Sequence, residues 1–146
     1  PREVQDFIDQ GADVNYQFCI RNKLSSPLSR ALNVPVAEVL VRNGADINRK
    51  NANGQTAIML NKQASVIKFL AENGADLHCV DHKGMNAVFH QAGNRKVMTY
   101  LVIKGCNPFI RDNEGRAVMH YMDIEKQKQF HAELTKIKAI IDKSKS

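Results

Sequence analysis

The chain has 146 residues, 43% of them apolar and 25% charged, with a formal net charge of +6 and a pI near 9.4. That apolar share supports one continuous core in a single domain, and no apolar run approaches the roughly 18 residues of a membrane helix. The basic excess is spread along the whole sequence, and with 6% aromatic residues there is no interleaved basic and aromatic platform, so neither a nucleic-acid nor a membrane partner is expected.

Val4, Phe7 and Ile8 recur at three- and four-residue spacing and predict a short amphipathic helix ending before Gly11. Gly11-Ala-Asp-Val-Asn15 then reads as a helix stop and turn, glycine taking the left-handed C-cap and Asp13 bonding its own backbone. The phrase returns as Gly44-Ala-Asp-Ile-Asn48, Gly74-Ala-Asp-Leu-His78 and, more loosely, Gly105-Cys-Asn-Pro-Phe109, the glycines 33, 30 and 31 residues apart. A period of that size marks one supersecondary unit repeated along an axis. Each later glycine follows its own helical stripe: Val36, Val39 and Leu40; Val66, Ile67 and Leu70; Val97, Met98 and Leu101.

After each turn a new helix start appears. Ser26-Pro27-Leu28, Thr56-Ala57-Ile58 and Asn86-Ala87-Val88 combine a capping side chain with a helix-compatible follower, whereas Ala117 stands at the fourth such place and forfeits about 1 kcal/mol. The spacing from these caps to the next glycine is short, so each first helix should be brief and the junctions irregular. Tyr16 to Ser25 is longer than the matching loops, with Leu24 where glycine is expected, and predicts a distinct finger. From Asp123 a helix is expected to run to about Asp142 on Phe130, Leu134, Ile137 and Ile141, either capping the array or docking a following domain through Ile140 and Ile141. The opening helix has no first helix before it, and the sequence reads as a fragment of a larger protein.

Asn51-x-x-Gly54-x-Thr56-Ala57-Ile58-Met59, Asp81-x-x-Gly84-x-Asn86-Ala87-Val88-Phe89 and Asp112-x-x-Gly115-x-Ala117-Val118-Met119-His120 resemble the Asp-x-x-Gly-x-Thr-Pro-Leu-His pattern of ankyrin repeats. The resemblance covers essentially the whole chain. It implies an all-α ankyrin repeat solenoid of stacked helix-turn-helix units with hairpin-like loops and a long C-terminal capping helix. The expected division is one domain over 1–146: a half repeat at 1–17, repeats at 18–50, 51–80 and 81–111, and a last repeat with extended helix at 112–146.

Ankyrin-type proteins bind other proteins through the hairpin tips and the concave wall of first helices. Carried over by position, the implied contacts are Asn22, Lys23 and Ser25; Ala52, Asn53 and Gln55; His82, Lys83 and Met85; and Asn113, Glu114 and Arg116, with Met59 as a further adaptable apolar contact. Lys23, Lys83 and Arg116 favour an acidic partner. The expected function is an intracellular protein-interaction module, in an adaptor or in a bacterial or viral protein directed at a host. The alternative is a substrate-positioning accessory to a catalytic domain outside this chain.

No enzymatic chemistry, metal or cofactor is expected within these residues. His78, Cys79, Asp81 and His82 cluster, but no second ligand pair follows at zinc spacing. Cys106 with His120, and Cys19 with His90, lack any nucleophile motif, and the resemblance gives His120 a structural role at a helix start. Cys19, Cys79 and Cys106 are odd in number and read as free thiols of a reducing compartment. Leu40, Asp46 and Asn48 are similar to the ankyrin motif modified by an asparaginyl hydroxylase, which makes Asn48 a candidate acceptor; Leu70, Asp76 and His78 match with histidine at that place.

Overall fold

The computed structural model of the protein describes residues 1–20 and 23–145. Helix α1 (Arg2–Asp9) leads into strands β1 (Phe18–Ile20) and β2 (Lys23–Ser25) and a 3₁₀ turn at Leu28–Arg30. Helices α2 (Val34–Arg42), α3 (Ala57–Leu60), α4 (Ala64–Glu72), α5 (Ala87–His90) and α6 (Arg95–Ile103) follow, then a 3₁₀ turn at Val118–Tyr121 and helix α7 (Ile124–Ser144). The fold is mostly helical, with one addition to the all-α expectation. The finger at Tyr16 to Ser25 contains an antiparallel pair in which Phe18 faces Ser25, Cys19 faces Leu24 and Ile20 faces Lys23.

The helix stops are built as their residues predict. Gly11, Gly44, Gly74 and Gly105 take φ from 90° to 107°, and Asp13, Asp46, Asp76 and Asn107 each accept the amide two residues on. The first helices are short, as the spacing predicts, while α2, α4 and α6 run nine residues each. The longer helices pack in the order α1, α2, α4, α6, α7, and the short elements form a second row through α3 and α5. One core lies between the rows, centred on Leu28, Ile58, Ile67, Leu70, Met98 and Leu101.

Buried amides tie the irregular junctions. Asn61 Nδ2 donates to the Ala31 carbonyl at 3.0 Å, and Gln91 Nε2 donates to the Asn61 carbonyl at 3.0 Å, linking three units at one level. The turns form their own ladder: Asn15 Nδ2 donates to Gly44 O at 3.0 Å while its Oδ1 accepts from Asp46 N at 2.8 Å. Asn48 repeats this with Gly74 O and Asp76 N at 2.9 and 2.8 Å. Histidine replaces asparagine at position 78, and that junction is held instead by Asn86 Nδ2 on Asn107 O at 2.7 Å and by Cys106 Sγ on Leu77 O at 3.3 Å.

Two expectations change. Val4 and Ile8 pack on the core, but Phe7 is 64% exposed, because a short helix set on one neighbour buries a narrow stripe and Phe7 lies on its flank. Ser26 and Asn86 do accept amides from Ser29 and Val88, whereas Thr56 makes no cap bond. Its Oγ1 is buried without a partner among the described residues. Replacing an unpaired buried hydroxyl by a methyl of similar shape removes a desolvation penalty. Thr56→Val is therefore expected to raise stability by about 1 kcal/mol, read as a higher urea midpoint; a lower midpoint would show that the hydroxyl is bonded.

At the C-terminal end Asp123 caps α7 by accepting from Lys126 N at 2.9 Å. The helix buries Phe130, Leu134 and Ile137, and its Glu133 bonds both Arg95 and Thr99 of α6. It runs on past the level at which another turn glycine would recur. An apolar groove of about 680 Å³ remains between it and the preceding turn, lined by Pro108, Phe109, Leu134 and Ile141 among others.

Candidate functional site

Three loops share one construction. Asn51, Asp81 and Asp112 are buried, and the Oδ1 of each accepts the amides two and four residues on: Asn53 and Gln55, Lys83 and Met85, Glu114 and Arg116, all within 3.0 Å. The tips then bond to one another. His82 N donates to Asn53 O and Asn113 N to Lys83 O, each at 2.9 Å, while Asn113 Nδ2 donates to His82 O at 2.8 Å. Asn51 Nδ2 reaches Leu24 O at 3.0 Å and brings β2 into the same edge.

Along this edge Lys23, Ala52, Asn53, His82, Lys83, Asn113 and Glu114 are exposed, and Gln55, Met85 and Arg116 are half-buried. Ser25 and Met59 depart from the expected contact set. Ser25 is 3% exposed, with its Oγ accepting from Arg30 Nε at 3.2 Å; Met59 is 1% exposed because α3 is enclosed by neighbours on both sides. Asn22 lies outside the described residues. Arg116 is half-buried and already engaged: Nε lies 3.1 Å from Asp112, a terminal nitrogen 2.8 Å from Glu114, and the guanidinium 5.0 Å from the Tyr121 ring centre.

Below the tips runs a second row, at the ends of the first helices. Arg30, Leu60, His90 and Tyr121 occupy one repeat position, 30, 30 and 31 residues apart. His90 Nε2 lies 2.8 Å from Asp81 Oδ2, and Tyr121 OH bonds the equivalent Asp112. Burial holds the His90 ring below its ordinary pKa, Asp81 opposing and Lys62 and Lys83 adding to the depression. The neutral ring thus donates Nε2–H to the carboxylate. Burial works against a charge on Asp112, yet the hydrogen bonds from Tyr121, Arg116 and the Glu114 amide outweigh it and hold this carboxyl well below the usual range.

The two rows enclose a groove of about 300 Å³ to which Lys23, Arg30, Lys62 and His90 contribute. Arg30 and Lys62 were not among the candidate residues and His90 was considered only beside Cys19, although the column of Arg30, Leu60 and His90 recurs in register. Lys62 Nζ donates to the His90 carbonyl at 2.8 Å, and burial, then the nearby Lys23, lowers its pKa.

The other candidate chemistry is dispersed. His78 and His82 are exposed, Cys79 is buried and Asp81 is occupied by its loop; among the described residues no three His, Cys, Asp or Glu side chains meet as a metal site. Cys106 is buried and its thiol is pushed up to about 11. His120 is exposed, and the side-chain bond from this turn back to the loop is made by Tyr121 on Asp112. Asn48 is exposed, with its carboxamide spent on the turn ladder.

A family model described as ankyrin repeats (3 copies) matches residues 28–112. The chain belongs to the ankyrin repeat family. The ankyrin match takes in the tips at 52–55 and 82–85 together with Arg30, Lys62 and His90, and it ends on Asp112. Ankyrin repeats are generally protein–protein interaction modules. No curated protein matches the chain, and no helix among the described residues is long and apolar enough to cross a membrane.

Proposed function

We propose that residues 1–146 form one ankyrin repeat solenoid that binds a protein with an acidic face along the edge from β2 to Asn113. The observation that carries this reading is the bonding of the tips to one another. Backbone bonds fix Asn53, His82, Lys83 and Asn113 in one line, so docking orders little that is not already ordered. Lys23 and Lys83 are exposed and have no ion-pair partner among the described residues, which supports an acidic counterpart.

In this reading 1–17 is a half repeat, 18–50, 51–80 and 81–111 are repeats, and 112–146 is the last repeat, whose long α7 caps the array with its apolar stripe inward and lysines outward. The module binds and does not catalyse, a reading supported by the high pKa of Cys106 and the structural use of Asp81 and Asp112. Three unpaired cysteines fit an intracellular location.

Lys23→Glu/His82→Ala/Lys83→Glu replaces exposed side chains and leaves the tip bonds in place. Capture of the partner from native cytoplasm is expected to fall roughly tenfold or more at low salt, with an unchanged melting curve. Capture at full strength by the folded triple variant would refute docking along this edge.

A further inference from the structure

We infer that the groove beneath the tips is a receptor for a phosphorylated serine or threonine side chain on the protein partner. The inference rests on the edge-docking reading and adds the chemistry of one anchor residue.

Lys23 from β2, Arg30 from the first 3₁₀ turn and Lys62 from the segment after α3 line one groove, with His90 beside them and Met59 and Leu60 beneath. Among the described residues no carboxylate lines it. Asp81, which bonds His90, is buried and already accepts the amides of Lys83 and Met85. The groove therefore holds a surplus of positioned donors. Arg30 Nε is fixed on Ser25 Oγ at 3.2 Å, and its two terminal nitrogens have no partner among the described residues. Lys62 Nζ is held at 2.8 Å from the His90 carbonyl. Gln55 spends its Oε1 on Asn51 Nδ2 at 3.2 Å, leaving its NH₂ for a ligand, and the Asn53 carboxamide has no bond among the described residues.

Like charges gathered in a concavity raise the local potential and draw in an anion. Burial and Lys23 both disfavour the charged form of Lys62, and an anion set between the two ammoniums relieves that repulsion. One carboxylate would balance one cation of the three. A phosphate monoester brings about −1.5 to −2 charge and three acceptor oxygens, which suits a fixed guanidinium with two ammoniums beside it. Free phosphate shares that chemistry. The apolar floor of Met59 and Leu60, and the opening of the groove onto the docking edge, favour a phosphate carried on a polypeptide.

The test uses degenerate peptide pools that differ only in a central phosphoserine, glutamate or serine, with binding to the whole chain followed by fluorescence anisotropy. The phosphoserine pool is expected to bind roughly tenfold tighter than the serine pool, with glutamate between. Lys62→Ala and Arg30→Ala should each abolish the preference while the chain still melts cooperatively, with at most a small drop in melting temperature from the lost bonds to the His90 carbonyl and Ser25 Oγ, and Lys62→Arg should keep it. Equal binding of phosphoserine and serine pools, a preference that survives both alanine variants, or inorganic phosphate binding as tightly as the phosphoserine pool would each overturn the inference. Phosphatase treatment of the native cytoplasm separates the two readings. Partner capture that resists phosphatase but is lost in the Lys23/His82/Lys83 variant overturns the phosphate receptor and leaves edge docking intact. Capture unaffected by that triple variant overturns the docking reading.

Discussion

Phe130→Ala is expected to cost about 3–5 kcal/mol, the usual range when a fully enclosed aromatic side chain is deleted and its cavity cannot close. Phe130 is 0% exposed. Its helix is fastened to α6 by Glu133 on Arg95 and Thr99, so the flanking side chains are not free to collapse into the void. In a repeat array each unit is stabilised mainly by its neighbours, and the loss should therefore appear first as fraying of Ile124–Ser144, with hydrogen-exchange protection falling in α7 before α2 or α4. Ile140→Ala provides the contrast on the same helix. Ile140 is 67% exposed, and its removal should lie within about 0.5 kcal/mol of zero. Similar costs for the two substitutions would mean that α7 does not pack on α6 through this stripe.

Much of the fold was legible in the sequence because its punctuation has direct physical meaning. A left-handed position after each helix demands glycine, the Asx turn two residues later demands Asp or Asn, and both recur in register. The brevity of the first helices followed from the shortened spacing, and α7 from the steps between Phe130, Leu134, Ile137 and Ile141. What escaped were polar residues whose roles depend on a neighbouring unit. Nothing along the chain marks Asn61 and Gln91, and only the contacts between neighbouring units show that each amide bonds a carbonyl of the unit before it. Their common place in the repeat was the available signal, as it was for Arg30 and His90. The site was less legible than the fold. Assigning contacts by family position assumes uniform units, and it misplaced Ser25, at the paired end of the longer finger; Met59, added as an adaptable apolar contact, is enclosed in a four-residue helix. Arg116 looked available as a cation. Asp112 and Glu114, four and two residues before it, neutralise it within its own loop, and that spacing was readable.

Gly84→Ala and Gly115→Ala should differ by about 2 kcal/mol although the two backbones match. Both glycines sit at φ +77°, where any L-residue pays about 1–2 kcal/mol. At Gly115 an added Cβ meets nothing within 4 Å, so strain should be the whole cost. At Gly84 it would lie 2.7 Å from Asn113 Oδ1, 3.2 Å from Asn113 N and 3.3 Å from Asp112 Cα. Asn113 cannot simply swing aside, because its amide bonds Lys83 O and its Nδ2 bonds His82 O. Displacing it breaks both bonds, at about 1 kcal/mol each, and separates two tips of the proposed docking edge. Gly84→Ala should then weaken partner binding at temperatures where the chain is still folded, whereas Gly115→Ala should spare it. Equal denaturation midpoints for the two variants would show that the tips are not held together as described and that the edge they form is not rigid.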